Sequence, residues 1–271
     1  MSGWAKRLSF LGAAAAAGLA LAFVIGGLND DDPPTRSGPL TAAIVDQAGL
    51  TNPNPALADS ATRTLEQAGY LVDYIPSEQV TVNFYRDLPK LGYDLLIMRT
   101  HSGFYLDFVP RDDAFLFTSE PYSDTEHLDD QRAKRLIKAS VYTEGRSISL
   151  EPTPTPEIPN LGRSAVQYYF GIPVEFIRKS MRGDFQGATV IVMGCNGLSS
   201  EGLAKALVDR GAGQVLSWDG LVSAQHVDAA TTSLLDLLIT AGLPIADAVA
   251  QTMQQVGPDP EYGSVLRWYQ P

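Results

Sequence analysis

The sequence predicts an α/β domain with a mostly parallel sheet that is interrupted by a long inserted segment. Short apolar runs alternate with segments of helical spacing in the first part of the chain and again near its end, which is typical of parallel strands joined by helical crossovers. Between these parts, residues 104–186 carry hairpin-like pieces and charge clusters over a stretch too long for an ordinary loop. We therefore expect one sheet with helices on both faces and an insertion that has its own strands or forms a lid.

The first part of the chain supplies three predicted strands. Apolar runs predict them at residues 40–45, 71–75 and 95–98. Apolar residues at helical spacing predict the first connecting helix over residues 56–68, which stops at Gly69, and a shorter helix is predicted at residues 82–88.

The regular order returns after the insertion. Strands are predicted at residues 189–193 and 215–217, with a helix between them that ends near Asp209 and Gly211. Two further helices are predicted at residues 228–240 and 245–256, separated by a Gly-Leu-Pro break, and residues 264–269 form a candidate last strand.

Composition excludes several classes of protein. The chain has 271 residues, of which 45% are apolar and 19% charged, so wholesale disorder is excluded. The formal net charge of −11 makes nucleic acid a poor partner, because phosphate neutralisation needs clustered Lys and Arg. A single cysteine excludes an internal disulfide framework and a cysteine-based zinc site.

The predicted insertion is acidic, and this is the one feature that raises the question of a metal. A solvated acidic face is the favoured interpretation, and a calcium site is the alternative, although the spacing matches no EF-hand loop. No other cofactor or metal is predicted. The acidic residues concerned are Asp112, Asp113, Asp124, Asp129 and Asp130.

The N-terminus predicts a membrane segment. Lys6 and Arg7 precede an uncharged run over residues 8–28, and about 20 apolar residues suffice to span a bilayer. An uncleaved anchor is favoured, with a cleaved signal sequence and a buried helix as alternatives. The two basic residues place residues 1–7 in the cytoplasm, residues 29–39 read as a linker, and residues 40–271 form an extracytoplasmic domain at the cell membrane, or a secreted one if the signal is cleaved.

Three polar residues follow predicted strands: His101, Cys195 and Asp219. In an open parallel sheet, sites form beyond the carboxyl ends of the strands. If the strands at 95–98 and 189–193 are neighbours, His101 and Cys195 face each other and supply an imidazole base and a thiol nucleophile. Gly103 allows close backbone approach to a substrate. Its backbone N–H and that of Cys195 are candidate oxyanion donors, and Ser102 and Gly103 are the candidate oxyanion residues beside His101.

Each of these residues also has a plain structural interpretation. A lone cysteine is usually a small buried apolar residue, a lone histidine is usually just hydrogen-bonded, and an aspartate can cap a helix. Together, at equivalent strand ends, they favour a site.

The same segments resemble a known family. Residues 95–103 (LLIMRTHSG), 189–197 (TVIVMGCNG) and 211–220 (GAGQVLSWDG) are similar in order and type to the clan CD cysteine peptidases, which include caspases, clostripain, gingipain, legumain and separase, and to the related CHAT domains. The resemblance covers roughly residues 40–103 and 187–269 and leaves the insertion outside.

The resemblance implies a caspase-like three-layer sandwich and a Cys/His dyad. In this family Cys195 would attack the scissile carbonyl of a protein or peptide substrate, and His101 would handle protons at the leaving amine. Asp219 matches the position of a pocket carboxylate in clostripain-like members, with Trp218 beside it, which implies cleavage after Arg or Lys.

Two other functions remain open at this level. The first is a catalytically inactive caspase-like domain that binds a peptide or protein partner. The second is a different α/β hydrolytic or transfer enzyme, although the sequence has neither a Gly-x-Ser-x-Gly elbow nor a Gly-rich phosphate loop.

Overall fold

The computed structural model describes residues 38–104, 114–141 and 167–271. The predicted cytoplasmic segment 1–7, the anchor at 8–28, most of the linker at 29–39, and Asp112 and Asp113 lie outside the described residues. The described residues from Pro39 to Pro271 belong to one compact unit. Within the described ranges, none of the helices combines the length and the apolar character needed to cross a bilayer.

Ten strands and seven α-helices make up the described chain. The strands are β1 (Thr41–Asp46), β2 (Leu71–Pro76), β3 (Leu95–Arg99), β4 (Ser102–Phe104), β5 (Ala114–Pro121), β6 (Ile137–Val141), β7 (Gln167–Ile172), β8 (Thr189–Val192), β9 (Gln214–Trp218) and β10 (Leu266–Tyr269). The helices are α1 (Pro55–Gln67), α2 (Val82–Asp87), α3 (Leu128–Arg132), α4 (Val174–Lys179), α5 (Gly202–Asp209), α6 (Ala224–Leu235) and α7 (Ile245–Val256).

The larger sheet has six strands in the order β10-β9-β8-β3-β1-β2. All neighbouring pairs are parallel except β10 and β9, which are antiparallel. The predicted α/β class and the mostly parallel sheet are therefore confirmed. Strand β3 lies in the middle of the sheet between β1 and β8, so the segments that follow these three strands meet at one edge.

Alternate side chains of the central strands enter two separate apolar clusters. On β1, Ala43 and Val45 pack with α2, α4 and α5, whereas Ala42 and Ile44 pack with α1, α6 and α7. Because side chains along a strand point alternately to opposite faces, this division places helices on both faces of the sheet. A near-continuous apolar sequence in each central strand is the result.

The insertion contributes a second, antiparallel sheet with the order β4-β5-β7-β6. Leu116, Phe170 and Ile172 enter the same cluster as α2, α4 and α5, while Phe115 and Phe117 belong to a small separate cluster. The inserted strands are thus packed on the main body by their apolar side chains.

One helix boundary differs clearly from its prediction. Helix α6 begins at Ala224 rather than at residue 228, and a π-helical turn (Asp236–Thr240) continues it. The reason is that Ser223 is extended (φ −71°, ψ 144°) and ends the preceding loop, so the next residue starts the helix.

Candidate active site

The two segments that carry His101 and Cys195 follow neighbouring parallel strands. Met98 pairs with Val192 in the register of β3 and β8, and the Met193 N–H donates to the Met98 carbonyl at 2.8 Å. The two strands are therefore neighbours, which is the condition on which the meeting of His101 and Cys195 depended. Since both strands end at the same edge, the sheet delivers the imidazole and the thiol to one end of the domain.

A direct contact joins the two segments beyond the strand ends. The Ser102 hydroxyl donates to the Cys195 carbonyl oxygen at 2.5 Å. A Cβ at Gly194 would lie 2.4 Å from both the Ser102 Oγ and the Thr100 carbonyl oxygen. Glycine is required there because only it lets the two backbones approach so closely.

The His101 imidazole is held by surrounding groups. Its Nε2 lies 2.6 Å from Thr51 Oγ1, its backbone N–H donates to Gln47 Oε1 at 2.9 Å, and its ring stands edge-on to Phe117 at 6.1 Å. Burial, with a smaller contribution from the positive charge of Arg99, lowers the pKa of His101 to about 4. The imidazole is consequently neutral at neutral pH.

The Cys195 thiol is partly buried and lies against the loop that follows β9. Its Sγ is 3.6 Å from the Val222 carbonyl oxygen. Burial raises the pKa of Cys195, the Val222 backbone opposes that rise, and the Asp259 carboxylate adds to it. At neutral pH the structure therefore holds a neutral imidazole and a protonated thiol rather than an imidazolium and a thiolate.

The candidate oxyanion residues, Ser102 and Gly103, lie in strand β4 of the second sheet. Ser102 is fully buried, pairs with Leu116 in the register of β4 and β5, and uses its hydroxyl to bind the Cys195 carbonyl. Gly103 pairs with Phe115 in the register of β4 and β5. The oxyanion role of both residues stays a prediction.

Asp219 lies directly after β9, and both of its carboxylate oxygens have partners. Oδ1 accepts from the Val265 N–H at 2.8 Å, and Oδ2 accepts from the Arg267 Nε at 2.6 Å. The Arg267 side chain is 59% exposed, whereas that of Asp219 is 22% exposed. A substrate cation that reaches Asp219 must therefore replace an exposed and movable guanidinium.

Trp218, the other predicted substrate contact, lies in the apolar core. It is 1% exposed, and its ring stands edge-on to His226 at 5.4 Å. Its role in substrate binding stays a prediction, and any such contact has to use its backbone because the ring is covered.

A buried ion cluster beside His101 was missed by the sequence analysis. The Arg99 side chain, 5% exposed, donates to Asp46 Oδ1 at 2.8 Å and to both oxygens of Asp228 at 2.9 and 3.0 Å. The Asn54 side-chain amide also donates to Asp228 at 2.8 Å. The sequence signal that could have indicated this cluster is a charged residue at the end of an apolar strand, which occurs at both Arg99 and Asp46. Nothing in the sequence pointed to Asp228.

An open cleft of about 720 Å³ adjoins this cluster. Thr51, which contacts the His101 imidazole, lines it together with Arg99, Asp228 and the start of α1. The cleft therefore reaches the histidine side of the site, and its volume is in the range of pockets that hold small-molecule or side-chain ligands.

The described residues contain no group of three or more His, Cys, Asp and Glu side chains that could hold a metal ion. Asp130, one of the acidic residues considered for calcium, is instead bound by Arg86, Arg135 and Ser180 at 2.6 to 2.8 Å. Its carboxylate joins α3 to α2 and to the end of α4.

No protein-family model matches the sequence, and no curated protein matches it.

Proposed function

We propose that this chain is a cysteine endopeptidase of caspase-like fold that uses Cys195 and His101. One observation carries the proposal: the segments with these residues follow neighbouring parallel strands and are joined by the hydrogen bond from Ser102 to Cys195. The strand order supports the fold, because five parallel strands followed by an antiparallel edge strand give the candidate site one common edge.

The chemistry proceeds from a neutral pair. As Cys195 Sγ bonds to the scissile carbonyl carbon, the thiol proton passes to the neutral imidazole of His101, which then delivers it to the leaving amine nitrogen as the C–N bond breaks. Water then cleaves the thioester, releasing the carboxyl product and restoring the thiol. Thr51 Oγ1, 2.6 Å from Nε2, orients the imidazole through these steps.

Asp219 selects a basic side chain before the cleaved bond. The supporting observation is its pairing with Arg267: one carboxylate oxygen already binds a guanidinium at 2.6 Å, and the guanidinium that occupies it is largely exposed. A substrate Arg replaces Arg267 with the same charge-assisted geometry, and Lys binds as a point charge.

The test measures cleavage of fluorogenic peptides in which Arg, Lys, Asp or Asn precedes the reporter group. Each peptide is incubated with the wild-type chain and, separately, with Cys195→Ala. Cleavage after Arg or Lys that disappears in Cys195→Ala supports the proposal. Arg267→Ala should then lower KM for Arg peptides and Asp219→Asn should raise it. Cleavage that persists in Cys195→Ala contradicts the proposed nucleophile.

The neutral thiol favours a second function, a catalytically inactive domain that binds a peptide or protein. The pKa of Cys195 is raised and that of His101 is lowered, so neither group is activated in the resting structure. Labelling with an electrophilic peptide mimic separates the two functions. If Cys195 is a working nucleophile, the peptide mimic should label it much faster than iodoacetamide does. If Cys195 is only a packed thiol, the two reagents should label it at similar rates.

The domain is held at the outer face of a cell membrane by residues 8–28, with residues 1–7 inside. The support is the uncharged run after Lys6 and Arg7. Membrane fractionation of the full chain, followed by protease treatment of intact cells, tests this. Recovery of the chain in the soluble fraction at its full mass would contradict an anchor.

A further inference from the structure

The carboxylate of Asp259 lies in the turn that precedes β10 and is 2% exposed. It accepts four hydrogen bonds of 2.9 Å: Oδ2 accepts from the backbone N–H and the hydroxyl of Ser223, and Oδ1 accepts from the backbone N–H groups of Glu261 and Tyr262. Burial opposes ionisation, but these hydrogen bonds prevail and lower the pKa of Asp259. Asp259 is therefore a buried carboxylate anion. The four hydrogen bonds that it accepts come from the loop after β9 and from its own turn before β10.

These hydrogen bonds join the loop after β9 to the turn before β10. A further contact bridges the same elements, because the Ser264 hydroxyl donates to the Leu221 carbonyl at 2.5 Å. Nearby, His226 Nε2 on α6 lies 3.1 Å from the Gly257 carbonyl at the end of α7. Asp259 alone, however, binds both the Ser223 backbone and its side chain, so it fixes the end of the loop where α6 begins.

Residue 222 is the point at which this loop reaches the thiol. Its carbonyl oxygen is 3.6 Å from Cys195 Sγ, and it is the immediate neighbour of Ser223. We infer that Asp259 is a positioning residue for Cys195, which acts by holding Ser223 and thereby the Val222 backbone against the thiol. Its effect on turnover rests on the proposed function, whereas its effect on the thiol does not.

The charges around the thiol agree with this placement. Asp259 raises the pKa of Cys195 through its negative charge, and the Tyr262 hydroxyl interacts electrostatically with Cys195. From the other packed elements, His101 follows β3 at the same sheet edge, and His226 on α6 stands against Trp218. Asp259 is the carboxylate whose negative charge opposes ionisation of the thiol.

Loss of Asp259 should therefore change the thiol in opposing ways. Removal of the charge and exposure of Sγ to water both lower the pKa of Cys195, whereas loss of the Val222 contact raises it. Burial is the largest of these influences, so the pKa should fall. At neutral pH we expect Asp259→Asn to be alkylated by iodoacetamide about tenfold faster than wild type, which corresponds to one pKa unit. If the chain is a peptidase, kcat falls at the same time because the nucleophile is less well aligned.

The experiment measures the rate at which iodoacetamide alkylates the full chain at several pH values, using intact mass to follow the product. Because the chain has one cysteine, the added mass reports Cys195 alone. Asp130→Asn is the matched control: it removes another buried carboxylate charge, bound by Arg86 and Ser180, and destabilises the fold. Because Asp130 does not act on Cys195, we expect its alkylation profile to match that of wild type.

Two results would overturn the inference. One is an alkylation profile of Asp259→Asn within about twofold of wild type, and the other is an equal shift in Asp130→Asn, since that would mean general loosening. Should Asp259→Asn fail to fold, Ser223→Ala retains the carboxylate and removes a single hydrogen bond. It should still raise the neutral-pH rate about twofold to threefold, and an unchanged rate would refute the role.

The outcome is independent of the peptidase assay. A shifted alkylation profile without any Cys195-dependent peptide cleavage supports the positioning role of Asp259 and contradicts the proposed function. Cys195-dependent peptide cleavage with an unchanged alkylation profile in Asp259→Asn supports the proposed function and contradicts the positioning role of Asp259.

Discussion

The Ser102 hydroxyl donates a 2.5 Å hydrogen bond to the backbone carbonyl of Cys195, across 93 residues of sequence. This contact lies beyond the end of the six-stranded sheet, between the first residue of β4 and the segment that follows β8. It fixes the segment after β8 relative to the segment after β3, and therefore the thiol relative to the imidazole. Because Ser102 is fully buried, loss of the bond leaves a carbonyl without this partner in a dry environment.

The close approach at this point predicts that Gly194 cannot be replaced. In Gly194→Ala the new Cβ would lie 2.4 Å from a backbone oxygen and from the Ser102 Oγ, so the two segments must separate. We expect a loss of at least about 2 kcal/mol in the free energy of unfolding, measured by urea denaturation. Gly38→Ala is the control, because its Cβ meets nothing within 4 Å. An equal effect of both variants would contradict the close-packing argument.

The Thr51 hydroxyl should matter for turnover through the orientation of His101. Thr51→Val removes the group 2.6 Å from Nε2 while keeping its size, and we expect kcat for an Arg peptide to fall about tenfold, as one hydrogen bond implies. Thr51→Ser retains the hydroxyl and should restore most of the activity. If Thr51→Ser is as impaired as Thr51→Val, the hydroxyl does not act on the imidazole.

Burial of His101 predicts a specific dependence of stability on pH. The unfolded chain binds a proton at this residue near pH 6.5, whereas the folded chain binds it only near pH 4. Between these values the unfolded state holds more protons, so stability falls as the pH falls from about 6.5 to about 4, by about 3 kcal/mol from this group.

His101→Gln has no such titration, and its unfolding free energy should fall less steeply over the same pH interval. Urea denaturation at several pH values in both proteins measures the difference. Parallel pH curves for wild type and His101→Gln would show that the folded chain does not suppress protonation of His101.

The central strands and the polar residues at their ends could be predicted from sequence, because buried parallel strands are continuous apolar runs and their ends are marked by the first polar residue. His101 and Cys195 were found in this way. The partner strands of the inserted sheet could not be paired in advance: β7 joins β5 and β6 by antiparallel pairing, and no short-range turn signal records that choice.

The contacts that tune the site were also out of reach of sequence patterns. Asp228 lies 129 residues from Arg99, and Asp259 lies in a turn far from Cys195, so each depends on how α6 and the turn before β10 pack against strand ends. Local periodicity reports which face of an element is buried, but it does not report which charged residue of a distant element will meet it.

The buried cluster of Arg99 with Asp46 and Asp228 gives the last prediction. Arg99→Met leaves two buried carboxylates without their cation, and we expect a loss of about 3–5 kcal/mol in unfolding free energy. Adding Asp228→Asn removes one of those charges, so the double variant should be less destabilised than the sum of the two single ones. Lys205→Met, which breaks an exposed pair with Glu201, should have a much smaller effect on the unfolding free energy, because solvent screens that pair. Additive losses in the Arg99 and Asp228 variants would show that the two side chains do not stabilise each other.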